Sequence, residues 1–149
     1  MGGLVRAARV SDAAAIAAVS SAASPATYAE LIQRQADLVF VAESDGSVVG
    51  YLALQHSAHP AVESRNPIQL WQLYVIPAFH GSGIAAQLMA AALEYARSHL
   101  HDVIWLGVSE HNARGMAFYR KHGFNPLGLH QVGAGNHAHD DILMSRSAS

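Results

Sequence analysis

The chain has 149 residues, of which 51% are hydrophobic and 13% are charged, and its formal net charge is −2 at pH 7. A chain of this length suits one domain, and this composition folds around a buried core instead of remaining disordered. The small net charge gives no reason to expect nucleic-acid binding. Because cysteine is absent, disulfides, thiolate metal sites and a cysteine nucleophile are excluded.

The chain also lacks the signals that direct a protein into or across a membrane. No apolar run approaches the roughly 18–20 residues that span a bilayer. The segment Met1–Val10 carries Arg6 and Arg9 and has no apolar stretch typical of a signal peptide. We therefore expect a cytoplasmic protein with no membrane partner, folded as a single domain over residues 1–149.

Hydrophobic spacing predicts a strand, two helices and a β-hairpin in the first part of the chain. Pro25 favours the start of the second helix, since proline is well suited to a first helical turn. The dipeptide Asp45-Gly46 is a strong signal for a tight hairpin turn, so we expect the strands on either side of it to be antiparallel. The predicted elements are a strand at Leu4–Val10, helices at Ala13–Ala23 and Thr27–Ala36, and strands at Leu38–Glu43 and Val48–Gln55.

The remainder of the chain begins with a polar loop and then alternates strands with helices. Pro77 ends the strand after this loop, since proline cannot donate to a sheet ladder. The long helix that follows has an apolar stripe containing Ile84, Leu88 and Tyr95. The predicted elements are a loop at His56–Pro67, strands at Ile68–Val75, Val103–Val108, Phe124–Leu129 and Asp141–Met144, and helices at Ile84–Leu100 and from Asn112 to about His122.

The predicted order is therefore β-α-α-β-β-β-α-β-α-β-β. Antiparallel strands come first and β-α-β crossovers follow. This order predicts an α/β fold with a mixed, mostly antiparallel central sheet that is flanked by helices on both faces.

Two glycines lie between the strand that ends before Pro77 and the helix that begins at Ile84. A helix N-terminus presents unpaired N–H groups and a partial positive charge, and glycines before it let the backbone close on an anion. Gly81 and Gly83 are equally consistent with an ordinary strand-to-helix turn. A dinucleotide loop needs a third glycine and a P-loop needs Lys-Ser/Thr after its last glycine, so both nucleotide motifs are excluded.

The stretch from Leu73 to Ala85 resembles the signature of the GNAT superfamily of N-acetyltransferases. That signature is a strand ending in an aromatic residue and valine, then a proline, then Gln/Arg-x-x-Gly-x-Gly/Ala, and His80 stands where Gln or Arg is usual. The resemblance covers the whole chain in element order and implies that acetyl-CoA is the co-substrate. The cofactor-binding residues that it implies are Leu73, Tyr74, Val75, His80, Gly81, Ser82, Gly83, Ile84 and Ala85.

A second stretch, Asn112–Phe124, resembles the other signature of that family, an asparagine before a helix that carries Phe-Tyr and ends in Gly-Phe. The resemblance implies that Asn112 contacts the pantetheine arm of the cofactor and that Tyr119 protonates the departing thiolate. A phenol with a pKa of about 10 is protonated at neutral pH and can donate. On the helix pattern alone, Tyr119 would be read as a core aromatic residue.

The acceptor is expected to be a primary amine of a polyamine-like or amino-acid-like small molecule, or of a peptide. A closer resemblance, to a bacterial subgroup related to spermidine/spermine N-acetyltransferases, is carried by Trp105-Leu106-Gly107-Val108, Glu110, Asn112 and Phe118-Tyr119. Many relatives carry a carboxylate on the strand before the glycine loop, but Gln69–Tyr74 has none, so we assign no general base. Trp71 and Gln72 are candidates for acceptor contacts.

Three further expectations concern assembly, metals and an alternative function. The apolar composition permits a homodimer. His137 and His139 could share one strand face, but a zinc site needs three or four ligands that converge, so we expect no metal. The missing carboxylate leaves open a non-catalytic acyl-CoA-binding sensor on the same fold.

Overall fold

Within the residues that the structure describes, seven strands and four α-helices follow one another in the predicted order, which is thereby confirmed. The computed structural model describes residues 4–20, 24–34, 38–132 and 139–148. Short 3₁₀ helices lie at Val10–Asp12 and Pro77–Phe79. The strands are β1 (Leu4–Ala7), β2 (Val39–Ser44), β3 (Ser47–Gln55), β4 (Pro67–Val75), β5 (Val103–Val108), β6 (Asn125–Val132) and β7 (His139–Ser147), and the helices are α1 (Ala13–Ser20), α2 (Pro25–Arg34), α3 (Ile84–Ser98) and α4 (Ala113–Lys121).

The strands form one mixed sheet in the order β1-β2-β3-β4-β5-β7-β6. Strands β4 and β5 are parallel, with Pro67 opposite Val103 and Gln69 opposite Trp105. The pairs β1/β2, β2/β3, β5/β7 and β6/β7 are antiparallel. The predicted α/β fold with a mostly antiparallel sheet is confirmed.

The hairpin between β2 and β3 turns at the predicted dipeptide. Ser44 pairs with Ser47, and the two residues between them, Asp45 and Gly46, have φ values of 51° and 80°. Two consecutive positive φ angles twist the turn in the sense that two-residue hairpins require. The predicted antiparallel pairing of these strands is confirmed.

One compact unit comprises Met1–Gln55 and Leu70–Tyr95. Its core joins apolar residues of the first two helices to those of the hairpin, because each element carries apolar side chains on one face. Tyr74 of β4 packs against this core. The fully or nearly fully buried members are Ala8, Ala13, Ile16, Tyr28, Ile32, Val39, Val41, Tyr51 and Ala53.

The other compact unit comprises His56–Gln69 and Ala96–Ser149. Its strand β5 is apolar over almost its whole length, which suits a strand covered on both faces. Ile104, Trp105 and Leu106 are buried there, together with Phe124 and Leu143. Strand β4 and helix α3 contribute residues to both units.

The predicted boundaries of four elements are wrong. The first strand ends at Ala7, because Asp12 accepts a hydrogen bond from the Arg9 N–H at 2.7 Å and a 3₁₀ turn forms. Helix α3 ends at Ser98, not at Leu100. Strands β6 and β7 are longer than predicted, because β7 is bonded on both sides and its polar residues continue the ladders.

One residue of the rejected metal motif, His137, lies outside the described residues. Among the residues that are described, no three histidine, aspartate or glutamate side chains come close enough to hold a metal ion. No helix in the described part of the chain is both long and apolar enough to cross a membrane.

Candidate active site

The glycine loop connects the end of β4 to the start of α3 through the short 3₁₀ turn. Gly81 and Gly83 have φ values of 80° and 92°, in the left-handed region that glycine adopts without steric cost. A Cβ at either position would have no heavy atom within 4 Å, so backbone conformation and not crowding requires glycine here. The glycine spacing noticed in the sequence therefore has a structural cause.

The loop leaves main-chain donors open at the start of α3. The first hydrogen bond of the helix runs from the Gln87 N–H to the Gly83 carbonyl at 3.1 Å. Within the described part of the chain, the N–H groups of Gly81, Gly83 and Ala85 have no hydrogen-bond partner. Open N–H groups beside a helix N-terminus attract an anion, and the pyrophosphate of a CoA ester is such an anion. This donor set therefore fits the cofactor that the sequence implied.

His80 and Ser82 hold the loop in shape. The His80 Nε2 lies 2.8 Å from the Val75 carbonyl, so the ring is folded back onto the last residue of β4. The Ser82 hydroxyl donates to the Phe79 carbonyl at 2.5 Å. The one irregular position of the motif, His80, thus has a local role as a brace between strand and loop.

The candidates on β4 fall on two faces of the strand, since successive side chains of an extended chain alternate. Val75 is buried, and Leu73 and Tyr74 are half-buried. Gln72 is half-buried and accepts hydrogen bonds from Tyr28 and Tyr51. Its neighbour Trp71 points to the opposite face and is 37% exposed. The two candidates for acceptor contacts therefore cannot line one face together.

In the other unit, Asn112 caps helix α4. Its Oδ1 accepts a hydrogen bond from the Gly115 N–H at 2.9 Å, which satisfies one of the free donors of the first turn. A Cβ on Gly115 would lie 2.5 Å from the Asn112 Nδ2, so glycine is needed for this cap. The asparagine and glycine of the second motif therefore act as a pair that fixes the helix start.

Tyr119 lies on α4 among other rings. Phe118 and Phe124 pack edge to face against it at centroid distances of 5.5 and 5.8 Å. Burial raises the pKa of Tyr119 to about 12. Among the described residues no hydrogen bond engages its hydroxyl, so the O–H is free to donate to an incoming acceptor atom.

Sequence reasoning missed a clamp that holds the loop before β4. The Asp102 carboxylate accepts hydrogen bonds from the Ser64 hydroxyl and from the Arg65 and Asn66 N–H groups, the last two at 3.0 Å each. These bonds hold the pKa of Asp102 well below its usual range, the Ser64 hydroxyl contributing most. No local pattern could reveal them, because the partners are 36 to 38 positions apart.

The same loop is also fixed to β5. The Trp105 Nε1 donates to the Ser57 carbonyl at 2.9 Å, and the His59 ring packs edge to face on Trp105. These contacts give Trp105 a positioning role within its unit, in keeping with its burial.

A cavity of about 580 Å³ lies elsewhere in the unit that carries the glycine loop. Arg6 lines it and is paired with Asp12 at 2.8 Å and with Glu43. The Arg6 guanidinium lowers the pKa of Asp12, and the carboxylates in turn neutralise Arg6. None of the residues predicted to bind the cofactor lines this cavity, so it is not the predicted cofactor site.

Comparison with known proteins gives one family across most of the chain. The model of the acetyltransferase (GNAT) family matches residues 10–124. Uncharacterized N-acetyltransferases of Mycobacterium bovis and Mycobacterium tuberculosis are 35% identical over 123 residues, which cover 83% of this chain and 75% of the relatives.

Solved structures show the same fold. Ard1 from Thermoplasma volcanium superposes with a TM-score of 0.83 at 20% identity, over 99% of this chain and 98% of its own. A protein from Salmonella typhimurium that was solved with its cofactor acetyl-CoA superposes with a TM-score of 0.81 at 20% identity, over 100% and 95% of the two chains.

Proposed function

The chain belongs to the GNAT family of acetyltransferases and uses acetyl-CoA as its co-substrate, and we propose that it acetylates a primary amine by direct attack, with Tyr119 protonating the departing thiolate. The open N–H groups at the start of α3 carry this proposal, because they suit the pyrophosphate of that co-substrate. Leu73, Tyr74 and Val75 of β4, and residues 80–85 of the loop, would bind it together with Asn112.

In the proposed reaction, Tyr119 donates a proton to the sulfur of the departing CoA. The acetyl-CoA thioester supplies the activated acyl group when bound. As the amine nitrogen forms its bond to the acyl carbon and the carbon–sulfur bond breaks, the Tyr119 Oη gives its proton to the sulfur. The amine loses one proton to water, since β4 carries no carboxylate, and water returns a proton to the Tyr119 phenolate, so the reaction has no net change in protons. A positioned acid of this kind contributes about 10²–10⁴-fold to the rate.

One observation favours a second candidate function. Within β4 the side chains that face Tyr28 and Tyr51 include Gln72 and no carboxylate, so a general base is missing where many relatives have one. A sensor that binds acyl-CoA without turnover would have no need of that base.

A thiol-release assay separates the two functions. Purified full-length protein is mixed with acetyl-CoA and a panel of polyamines, amino acids, aminoglycosides and peptides, and cofactor binding is measured by calorimetry. An enzyme releases CoA with at least one amine, whereas tight binding without release would support the sensor. Failure to bind acetyl-CoA at all would contradict both.

Four expectations remain predictions beyond these comparisons. They are the resemblance to the spermidine/spermine subgroup, a homodimer, a cytoplasmic location and one domain over residues 1–149.

A further inference from the structure

A buried pair of tyrosines holds the side chain of Gln72. Tyr28 of α2 and Tyr51 of β3 are 0% and 1% exposed. Their hydroxyls lie 3.1 and 2.7 Å from the Gln72 Oε1, and 3.2 Å from each other. The Ser20 hydroxyl completes the group at 2.8 Å from the Tyr28 hydroxyl. All four residues belong to the unit that carries the glycine loop.

The protons of these phenols decide which end of the amide faces them. A buried O–H group needs an acceptor, and a carbonyl oxygen has two lone pairs and no proton. The distance of 2.7 Å from Tyr51 is typical of an O–H···O bond and shorter than most N–H···O bonds. Burial raises the pKa of Tyr51, so this donor keeps its proton at neutral pH. The oxygen of Gln72 therefore faces the tyrosines.

The nitrogen of the same amide must then face the other way. Gln72 is half-buried, and its Nε2 has no hydrogen-bond partner among the residues that the structure describes. A carboxamide nitrogen donates two hydrogen bonds and accepts none. The tyrosine pair thus presents a fixed donor that can bond only to an acceptor atom such as a carbonyl oxygen.

The donor lies on the strand that leads into the glycine loop. Gln72 precedes Val75, the last residue of β4, by three positions. Three residues of extended strand span about 10 Å. Tyr74, on the same side of the strand, packs against the core that contains Tyr28 and Tyr51. The Gln72 amide therefore lies on the face of β4 that carries Tyr74, in the same unit as the glycine loop.

Resting on the proposed acetyl transfer, we infer that the Gln72 amide selects an acceptor amine that carries a neighbouring carbonyl oxygen, as an amino-acid amide or a peptide N-terminus does. A polyamine offers only N–H donors near its nitrogens at neutral pH, and two donors facing each other leave both without a partner. Such a mismatch lets a polar site reject an analogue that lacks the matching group.

The test compares two small amines of similar shape in the full-length protein. Alanine amide carries the carbonyl, and 1,2-diaminopropane replaces it with a methylene. We expect kcat/KM to be about tenfold or more higher for alanine amide, the order of one well-made hydrogen bond. Spermidine should be the poorer substrate as well. A short alanyl peptide, run beside alanine amide, distinguishes a peptide N-terminus from a free amino-acid derivative.

The substitution Gln72→Glu should abolish this preference. A glutamate still accepts from Tyr28 and Tyr51, but it presents an oxygen where the amide presented N–H. The ratio of kcat/KM for the two amines should fall about tenfold, and taking the ratio cancels any gain that the new carboxylate brings as a base. Gln33→Glu, on the exposed surface of α2, is the matched control and should leave the ratio unchanged.

Tyr51→Phe tests the positioning role of the phenol. Without this donor the amide is free to turn, so the ratio should fall about threefold, mainly through KM for alanine amide, while acetyl-CoA binding is retained. If circular dichroism shows that Gln72→Glu does not fold, Gln72→Met gives the same comparison without a charge.

The outcomes separate this inference from the function on which it rests. Binding of acetyl-CoA without turnover of any amine would refute the proposed acetyl transfer, and the inference with it. Turnover with an equal ratio in the wild type, Gln72→Glu and Gln33→Glu would overturn the inference alone. A wild-type preference for spermidine over alanine amide would overturn it too.

Discussion

Single residues show how one side chain can serve both folding and chemistry. Asn112 was expected to contact the cofactor, and the structure makes it the cap of α4, held by its bond to the Gly115 N–H. Tyr119 was expected to be an acid, and its burial among rings raises its pKa to about 12. At neutral pH this phenol carries its proton, as the proposed donor must.

Tyr119→Phe tests the proposed acid. The variant keeps the ring packing against Phe118 and Phe124 and loses only the proton, so kcat should fall about 10²-fold while the Kd for acetyl-CoA changes little. An equal loss in binding and rate would show that the hydroxyl serves the cofactor and not the leaving group.

The pKa of Tyr119 also predicts a pH effect on stability. In the unfolded chain the phenol loses its proton near pH 10, whereas the folded protein retains it to about pH 12. Over that window the unfolded state binds fewer protons, so the free energy of unfolding falls as pH rises. Tyr119→Phe should show a shallower fall between pH 10 and 12 in urea titrations. Equal slopes would contradict the burial of this hydroxyl.

Gly115→Ala should break the hydrogen bond by which Asn112 caps α4. The new Cβ displaces the Asn112 side chain, which costs about 1 kcal/mol, while alanine favours the helix by up to about 1 kcal/mol. In the Asn112→Ala background only the favourable part remains. A double-mutant cycle in urea should therefore give a coupling energy of about 1 kcal/mol, and additive effects would mean that the two residues do not depend on each other.

At the scale of the elements, the C-terminal end of α3 is set by a turn that the sequence does not signal. Helix α3 ends two residues before its predicted end because the chain turns at Leu100, whose φ is 62°. The His101 N–H bonds to the Ala96 carbonyl at 2.9 Å across this turn, an arrangement that usually has glycine at the left-handed position. The Leu100 side chain is 83% exposed, so it gains little from burial.

Leu100→Gly should stabilise the protein. Relief of the left-handed strain, about 1–2 kcal/mol, outweighs the extra freedom of glycine in the unfolded chain, about 0.5–1 kcal/mol. We expect a net gain of about 0.5–1 kcal/mol in the free energy of unfolding. Leu100→Ala, which shortens the side chain without easing the backbone, is the control and should give no gain.

The Asp102 clamp ties the loop before β4 to the start of β5 within one unit. Its carboxylate must be ionised to accept from Ser64, Arg65 and Asn66, and these bonds lower its pKa. Its contribution to stability is therefore present above the unfolded pKa near 4 and is lost as pH falls below it. Asp102→Asn should cost about 1 kcal/mol at pH 7 and little at pH 2, measured by urea unfolding. A cost that does not depend on pH would contradict the clamp.

At the scale of the whole molecule, the family match and the open donors of the glycine loop predict stabilisation by the co-substrate. A ligand at 100 times its Kd adds about 2.7 kcal/mol to a folded protein that alone binds it. Acetyl-CoA should therefore raise Tm by several degrees, and CoA should do so as well, whereas ATP and NAD should not. An equal shift with ATP would indicate that the loop recognises any polyphosphate.

Much of the fold could be predicted, because its signals are local. Apolar periodicity marks each helix and strand, and the Asp45-Gly46 turn and the left-handed glycines at 81 and 83 report backbone angles that few other residues adopt. The ends of elements were less predictable, since Leu100 shows no turn signal and β7 is extended by ladders on both sides.

The sequence by itself determined the order of the elements, the glycine loop and the two motifs, because each depends on neighbours in the chain and on their conformational preferences. Only the tertiary structure decided what surrounds them. The bonds of Tyr28 and Tyr51 to Gln72, and those of Asp102 to the preceding loop, join residues 21 to 44 positions apart. Such contacts depend on packing, which no local pattern encodes, and they turn Gln72 from an isolated polar residue into an oriented donor.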